Sequence, residues 1–193
     1  LEAGLKFGDV RAVLLAARLG LAGRLLPALA NASRTGDDRL TAAAATALGT
    51  ADHDDAAELV AELLGHTDAR VRSNAIEAAS AIAQRRGGAF AIEPLLGDRH
   101  HRPRATALVS AARHGPPGPT VVAALVDLLG QAEALPRAAG LWALERSAVE
   151  LKPMAGSAWP EIGAVVAALA TRNGHPSERA RATRVARRML SVD

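Results

Sequence analysis

A short motif that returns at a nearly fixed interval constrains the fold of this chain more than any other feature. The triplet Leu-Leu-Gly recurs at spacings of 32 and 33, at residues 63–65, 95–97 and 128–130. Six residues after each glycine, a Val-Arg or Pro-Arg pair follows, at residues 71–72, 103–104 and 136–137. Internal repeats of this length are typical of chains that stack one supersecondary unit on the next.

The first segment of each copy has the pattern of a helix with one apolar face. In one copy, Leu59, Val60 and Leu63 recur at the spacing of such a face. A glycine just past a helix often takes the left-handed conformation that ends it. We therefore expect Gly65, Gly97 and Gly130 to close their helices in this way.

The second segment also carries the signals of a helix start. Asp37 and Asp68 stand where a carboxylate can accept the unpaired amide hydrogens of a first turn. In later copies, Pro103 and Pro136 stand at the opening, which is where a helix tolerates proline. Each copy is therefore predicted to be a pair of helices joined by a short turn.

These pairs extend over most of the chain, and we predict a single all-α domain over residues 1–193. Its fold would be an α-α superhelix, a solenoid of about five and a half helical hairpins. The segment from Ala148 to Ser157 is expected to be a loop longer than its counterparts. The predicted repeats occupy approximately residues 8–20 (a half repeat), 21–50, 54–84, 88–114, 118–148 and 158–191.

Composition explains why such pairs must stack. Apolar residues make up 49% of the chain and aromatic residues only 2%, so the core must consist of Ala, Leu, Val and Ile. Burying one methyl group yields only about 0.8 kcal/mol, whereas ordering one backbone residue costs about 1–2 kcal/mol. A single alanine-rich pair therefore needs neighbours on both sides, and Ala75, Ala107 and Gly140 are expected where helices approach closely.

The segment Ala57 to Ile82, AELVAELLGHTDARVRSNAIEAASAI, resembles the HEAT-repeat family. It has that family's leucine-rich helix, aspartate-containing turn, Val-Arg pair and alanine-rich second helix. The resemblance covers roughly residues 8–191 and includes the short bacterial variety once grouped with phycobilisome lyases. It implies an all-helical binding scaffold and says little about the partner, because one fold hosts many functions.

Several simple absences bound the class of protein. The chain has no cysteine, which excludes disulfides and thiolate chemistry. It has no apolar stretch long enough to cross a bilayer and no secretory signal, so we expect a soluble, cytoplasmic protein that does not enter membranes. The sequence begins with Leu1-Glu2 and not with Met, so we expect a fragment, a processed product or a chain with an added terminal remnant.

Charge is unevenly distributed along the sequence. Residues 1–68 hold six Lys/Arg and ten Asp/Glu, whereas residues 69–193 hold seventeen Lys/Arg and ten Asp/Glu. The basic half ends in an arginine-rich run: Arg172, Arg179, Arg181, Arg184, Arg187 and Arg188. This run has three open interpretations: a polar cap that keeps a terminal repeat soluble, a site for an acidic protein, or a site for a nucleic acid backbone.

A row of arginines stands at corresponding positions near the start of the second helices. Its members are Arg11, Arg72, Arg104, Arg137 and Arg179. The family resemblance implies that such arginines pair with turn aspartates as a structural ladder, for which Asp68 is available. Ligand binding by the row is the alternative, and Thr41 interrupts it.

The sixth position of each second helix is expected to face the concave surface, where HEAT arrays commonly bind partners. These positions hold Thr46, Glu77, Val109, Trp142 and Arg184. Trp142 is a candidate hot spot because buried tryptophan dominates many interfaces, or else it fills the space left by Gly140. The predicted partner-binding residues are Trp142, Glu77, Val109, Arg113, Arg146 and Arg184.

Metal and cofactor sites are not predicted. Residues 52–55 (Asp-His-Asp-Asp) have suitable side chains for a metal, but consecutive residues cannot readily converge on one ion. An acidic helix start explains them more simply. The pair His100-His101 also lacks carboxylates at a matching spacing.

Catalytic motifs are also missing from the sequence: it has no phosphate-binding loop, nucleophile elbow or H-E-x-x-H helix. We therefore predict a non-catalytic scaffold that binds a protein or peptide. The alternative is nucleic-acid binding through the basic C-terminal half, including a HEAT-like DNA glycosylase in which Glu77 or Glu145 would act as the acid. The low aromatic content argues against that enzyme, since bases are bound by stacking.

Overall fold

The structure, a computed structural model, describes residues 4, 8–87, 91–114, 118–172 and 174–191, and none of these lies in a strand. The predicted all-α, HEAT-like fold is confirmed. The helices are α1 (Val10–Arg18), α2 (Leu26–Ala32), α3 (Asp38–Leu48), α4 (Asp54–Leu63), α5 (Ala69–Arg86), α6 (Glu93–Leu96), α7 (His101–His114), α8 (Pro119–Gly130), α9 (Ala134–Ala155), α10 (Trp159–Thr171) and α11 (Pro176–Leu190). Short 3-10 turns cover Gly23–Leu25 and Gly156–Ala158.

The chain divides into two compact units, Leu1–Ala91 (unit 1) and Ile92–Asp193 (unit 2). The organisation of residues 1–193 as a single domain stays a prediction. The internal arrangement of each unit is described separately.

In unit 1, the second helices form one row and the first helices pack against it. Helix α3 contacts α1 on one side and α5 on the other, while α2 packs on α3 and α4 packs on α5. The core is made largely of alanine and leucine, and nearly every residue of α3 after Arg39 is buried. Helix α1 thus occupies the place of a second helix whose pair is incomplete.

A close helix approach in unit 1 lies between Gly49, just after α3, and Ala78 of α5. A Cβ atom added at Gly49 would lie 2.7 Å from the Ala78 Cα. A Cβ atom cannot lie that close to a backbone atom, so any side chain at this position would force the two helices apart. The position therefore favours glycine.

Unit 2 repeats the same arrangement of two rows. Helix α9 contacts α7 and α11, while α6, α8 and α10 pair with α7, α9 and α11. At Gly140 of α9, an added Cβ would lie 3.1 Å from Leu128 Cβ and 3.1 Å from Leu129 Cδ2. The expected close approach at Gly140 is therefore present, against α8.

The predicted helix starts are confirmed. The Asp37 carboxylate accepts hydrogen bonds from the amides of Arg39 and Leu40. In unit 2, Pro103 and Pro136 both stand in the first turn of their helices, α7 and α9. Proline lacks the amide hydrogen that would have no partner there, so it starts a helix without loss.

The predicted left-handed glycines at the ends of the first helices are wrong. The φ angle of Gly97 is −96°, and neither Gly65 nor Gly130 is among the glycines with positive φ. Instead, the amide of Gly65 donates to the carbonyl of Glu62, three residues back, which tightens the last turn as a 3-10 turn does. Gly130 is itself the last residue of α8.

The predicted loop from Ala148 to Ser157 is also wrong, because helix α9 continues to Ala155. The helix is kinked at Ser147, whose φ is −140° and ψ is 26°. Beyond the kink, Leu151 is completely buried and Ala148 nearly so. Their burial supplies a packing reason for the continued helix that the local sequence does not reveal.

Candidate partner-binding surface

An aromatic side chain and a guanidinium group stack on α9. Trp142 and Arg146 are four residues apart, so they lie on the same face of the helix. The Arg146 guanidinium carbon lies 5.2 Å from the centre of the Trp142 ring, within the range of a cation–π interaction. Trp142 is half-buried and Arg146 is exposed, so the stack is accessible from solvent.

An arginine from the neighbouring second helix joins this stack. Nη2 of Arg113, near the end of α7, donates a hydrogen bond of 3.1 Å to the backbone carbonyl of Arg146. A guanidinium offers five donors, so one such bond leaves most of them available. Arg113 therefore adds positive charge beside Trp142 while it is held in place by α9.

Arginines from α11 reach the same helix through one carboxylate. Arg184 Nε donates to Glu145 Oε1 at 3.1 Å, and Arg181 Nε lies 3.7 Å from Glu145 Oε2. The Arg184 side chain keeps 55% of its surface exposed. Glu145 thus positions two guanidinium groups one turn from Trp142.

We name this surface of unit 2 the α9 face and define it by Trp142, Arg113, Arg146 and Arg184. The structure brings these four predicted residues onto adjoining second helices. It does not give Val109 the accessibility that partner contact needs, since Val109 is only 6% exposed; this corrects the interpretation of position six in α7. The sixth predicted residue, Glu77, is exposed on α5 and belongs to unit 1.

Arg137 makes the most deeply buried ion pair among the described residues of unit 2. Its Nε lies 2.6 Å from Glu178 Oε1, and the two side chains are 7% and 5% exposed. Nη1 donates to the carbonyls of Gln131 and Ala132 in the preceding turn. The hydrogen bond to Glu178 raises the pKa of the Arg137 guanidinium against the opposing effect of burial. The described contacts of Arg137 are internal and join α9 to α11.

Arg104 has a similar arrangement. Its Nε donates to the carbonyl of Leu96 at 3.0 Å, and its Nη2 lies 2.8 Å from Asp127 Oδ2. Asp127 and Glu178 do not stand in the turn positions where the family resemblance places the acids of a ladder. Sequence analysis missed both partners, because each comes from a helix of the following repeat.

In unit 1, Arg72 and Asp68 both make hydrogen bonds at the turn before α5. Arg72 Nη1 donates to the carbonyls of His66 and Thr67, both at 2.8 Å. The Asp68 carboxylate accepts the amides of Arg70 and Val71. Burial alone would raise the pKa of Asp68, but these hydrogen bonds lower it below its usual 3.8. A pairing of Asp68 within an arginine ladder stays a prediction.

The family model described as HEAT repeats matches residues 25–95. The match covers less than half of the chain and shows similarity to HEAT repeats in that segment. The crystal structure of an archaeal HEAT-like repeats protein from Thermococcus onnurineus NA1 is similar to it in fold, with a TM-score of 0.51 and 17% sequence identity. The similarity covers 95% of this chain and 76% of the archaeal chain. No curated protein matches the sequence significantly. The resemblance to the bacterial variety stays a prediction.

HEAT-like repeats generally mediate protein interactions. In the part of the chain that the structure describes, no three or more His, Asp or Glu side chains are grouped so that they could hold a metal ion. Residues 52–55 instead lie around the start of α4, where the His53 ring accepts a hydrogen bond from the amide of Asp55. None of the described helices has the length and apolar character to cross a membrane.

Proposed function

We propose that this chain is a non-catalytic cytoplasmic scaffold that binds a protein or peptide through the α9 face. The observation that carries the proposal is the accessible stack of Arg146 on Trp142. Arginine and tryptophan are the residues most enriched where binding energy concentrates. A ring that is already half-buried and held by a cation loses little freedom when a partner covers it.

The chemistry of the α9 face favours an acidic segment of the partner. Arg146 stacks on the Trp142 ring, Arg113 bonds the Arg146 carbonyl, and Arg184 is held by Glu145, which neutralises part of the positive charge. Guanidinium groups bind carboxylates with paired hydrogen bonds, and the ring offers an apolar surface beside them. A peptide that carries an acidic residue next to an apolar one matches both features.

Nucleic-acid binding through the arginine-rich C-terminal half is the second candidate. Arg179, Arg187 and Arg188 are exposed on α11 and could contact phosphates. The HEAT-like glycosylase variant of this idea is less well supported, because two arginines already engage the Glu145 carboxylate. The few aromatic residues also leave little for bases to stack on.

The test is selection from a displayed library of random peptides, followed by affinity measurement on the enriched sequences. We expect enrichment of acidic peptides whose affinity falls about tenfold or more in Trp142→Ala, the loss typical of a hot spot. Arg146→Ala should weaken binding through the same stack. Trp159→Phe is the matched control, since Trp159 lies on α10 and is predicted only to pack at the start of that helix.

A capture experiment from cell extract separates the candidates. The proposal requires capture that resists nuclease and is lost in Trp142→Ala. Capture that disappears after nuclease treatment would instead support the nucleic-acid candidate. Release of bases from alkylated DNA would contradict both non-enzymatic functions.

A further inference from the structure

Unit 1 contains a groove between α2 and α4 with a volume of about 270 Å³. Its walls are apolar where the two helices face each other, with Leu26, Pro27 and Ala30 on one side and Leu59 on the other. Leu26 and Leu59 are each only 7% exposed, so most of the accessible apolar surface belongs to Pro27 and Ala30, beside the charged groups.

Carboxylates dominate the rim of this groove. Asp55, Glu58 and Glu62 line it from α4, and Arg34 is the only cation among the described residues that line it. Arg34 Nη2 lies 3.3 Å from Glu62 Oε2, with both side chains about 60% exposed, so this pair is weak. The three carboxylates are spaced three and four residues apart on one helix face, where like charges repel. The groove therefore favours a cationic group.

A long side chain with an apolar stem and a cationic head fits both the walls and the rim. Arginine places its methylene groups on apolar surface while its charged head stays at the edge. Its guanidinium then binds carboxylates with paired hydrogen bonds. The groove is thus suited to arginines presented by another protein surface.

Such a surface exists on α11. Arg179 and Arg187 are eight residues apart with Thr183 between them, so the three form one row along the helix. Both arginines are exposed, whereas the opposite face of α11 is buried through Ala182 and Val185. Eight residues of helix span about 12 Å, close to the roughly 10 Å from position 55 to position 62 on α4. The row of cations therefore matches the row of carboxylates in length.

We propose that a second copy of this chain docks the arginine row of α11 onto the acidic groove of unit 1. The charge division of the sequence agrees with this pairing, since residues 1–68 carry four more acids than bases and residues 69–193 carry seven more bases than acids. Because the two surfaces differ, the contact is head-to-tail, and each added copy leaves one surface of each kind open. The inference does not use Trp142 and is independent of the proposed function.

The test is sedimentation velocity on the wild type and two charge-removal variants. Glu58→Gln/Glu62→Gln removes charge from the groove, and Arg179→Gln/Arg187→Gln removes charge from the helix. All four positions are exposed, so folding should persist, and circular dichroism checks it. The wild type should associate increasingly with concentration, whereas each variant alone should stay at the monomer mass of 19.8 kDa.

Mixing experiments provide the decisive measurement. The groove variant keeps a working α11 and the helix variant keeps a working groove, so their mixture should form a one-to-one complex of twice the monomer mass. This complex should dissociate as salt rises from about 0.05 M to about 0.5 M, because screening weakens exposed charge pairs. Three results would each overturn the proposal. The wild type stays monomeric at every concentration, either variant alone still associates, or the mixture of the two variants does not form the complex.

Discussion

Units 1 and 2 use the same repeat but hold neighbouring second helices together differently. In unit 1, Gly49 brings α3 against Ala78 of α5 so closely that no side chain fits between them. In unit 2, α9 and α11 are joined by the buried pair of Arg137 and Glu178. One repeat can thus be joined to the next by backbone contact or by a buried ion pair.

The same contrast appears at the helix starts. Asp68 caps α5 through its carboxylate, whereas the residue before α9, Glu133, makes no such bond and Pro136 follows in the first turn. A cap acts within one turn of its own helix, whereas an ion pair joins two residues 41 positions apart. The two units should therefore respond differently to substitution.

The largest effect is expected from breaking the buried ion pair in unit 2. Glu178→Ala should lower the free energy of unfolding by about 3–5 kcal/mol, because it leaves the buried Arg137 charge without its partner. Urea denaturation followed by circular dichroism measures this change.

A double variant sharpens this prediction. Arg137→Met/Glu178→Leu replaces both charges with apolar groups, and such replacements are often neutral or stabilising. It should be clearly more stable than Glu178→Ala. A single substitution that costs less than about 1 kcal/mol, the value of an exposed pair, would show that this pair does not hold the helices.

A smaller effect is expected from the close contact in unit 1. Gly49→Ala should cost about 2–3 kcal/mol, because its Cβ would meet the Ala78 backbone and force the helices apart. Gly140→Ala in unit 2 is the matched control. There the nearest atoms belong to leucine side chains, and alanine gains about 1 kcal/mol in helix propensity, so the net change should be small. Equal losses at both positions would remove the distinction between the units.

The smallest effect concerns the cap at Asp68 and depends on pH. The pKa of Asp68 is lower in the folded protein than its usual 3.8, so its stabilisation is fully present above that pH and is lost as pH falls through the lowered value. Asn is also a good cap, so Asp68→Asn should lose about 1 kcal/mol or less at pH 7. The stability gap should shrink in acid, as measured by urea denaturation at several pH values. A gap that is the same at pH 7 and in strong acid would contradict this assignment.

The sequence predicts the helix pairs well because their signals are local. Aspartates, prolines and the apolar face of each first helix act within one turn of where they stand. Two errors arise where packing decides instead. Burial of Leu151 extends α9 across a region that contains Pro153, and the turn at Gly65 closes without the left-handed conformation that glycine permits.

The candidate surface is predicted less completely. The stacking of Arg146 on Trp142 follows from their spacing of four residues on one helix. Glu145, Asp127 and Glu178 engage arginines that are distant in the sequence, and periodicity alone does not identify such partners. Val109 shows that periodicity can also suggest a residue wrongly. It occupies the same position of the repeat as Trp142, but it is buried.

Arg72 and Arg137 both donate to the carbonyls five and six residues before them. These hydrogen bonds therefore fit a turn of one length, and inserting one residue there would separate the donor from both acceptors. For protein engineering, the segment from residue 66 to residue 72 can serve as a junction of fixed length, to be transplanted whole between artificial modules. Changes in module length should instead be made in the turns that join one hairpin to the next.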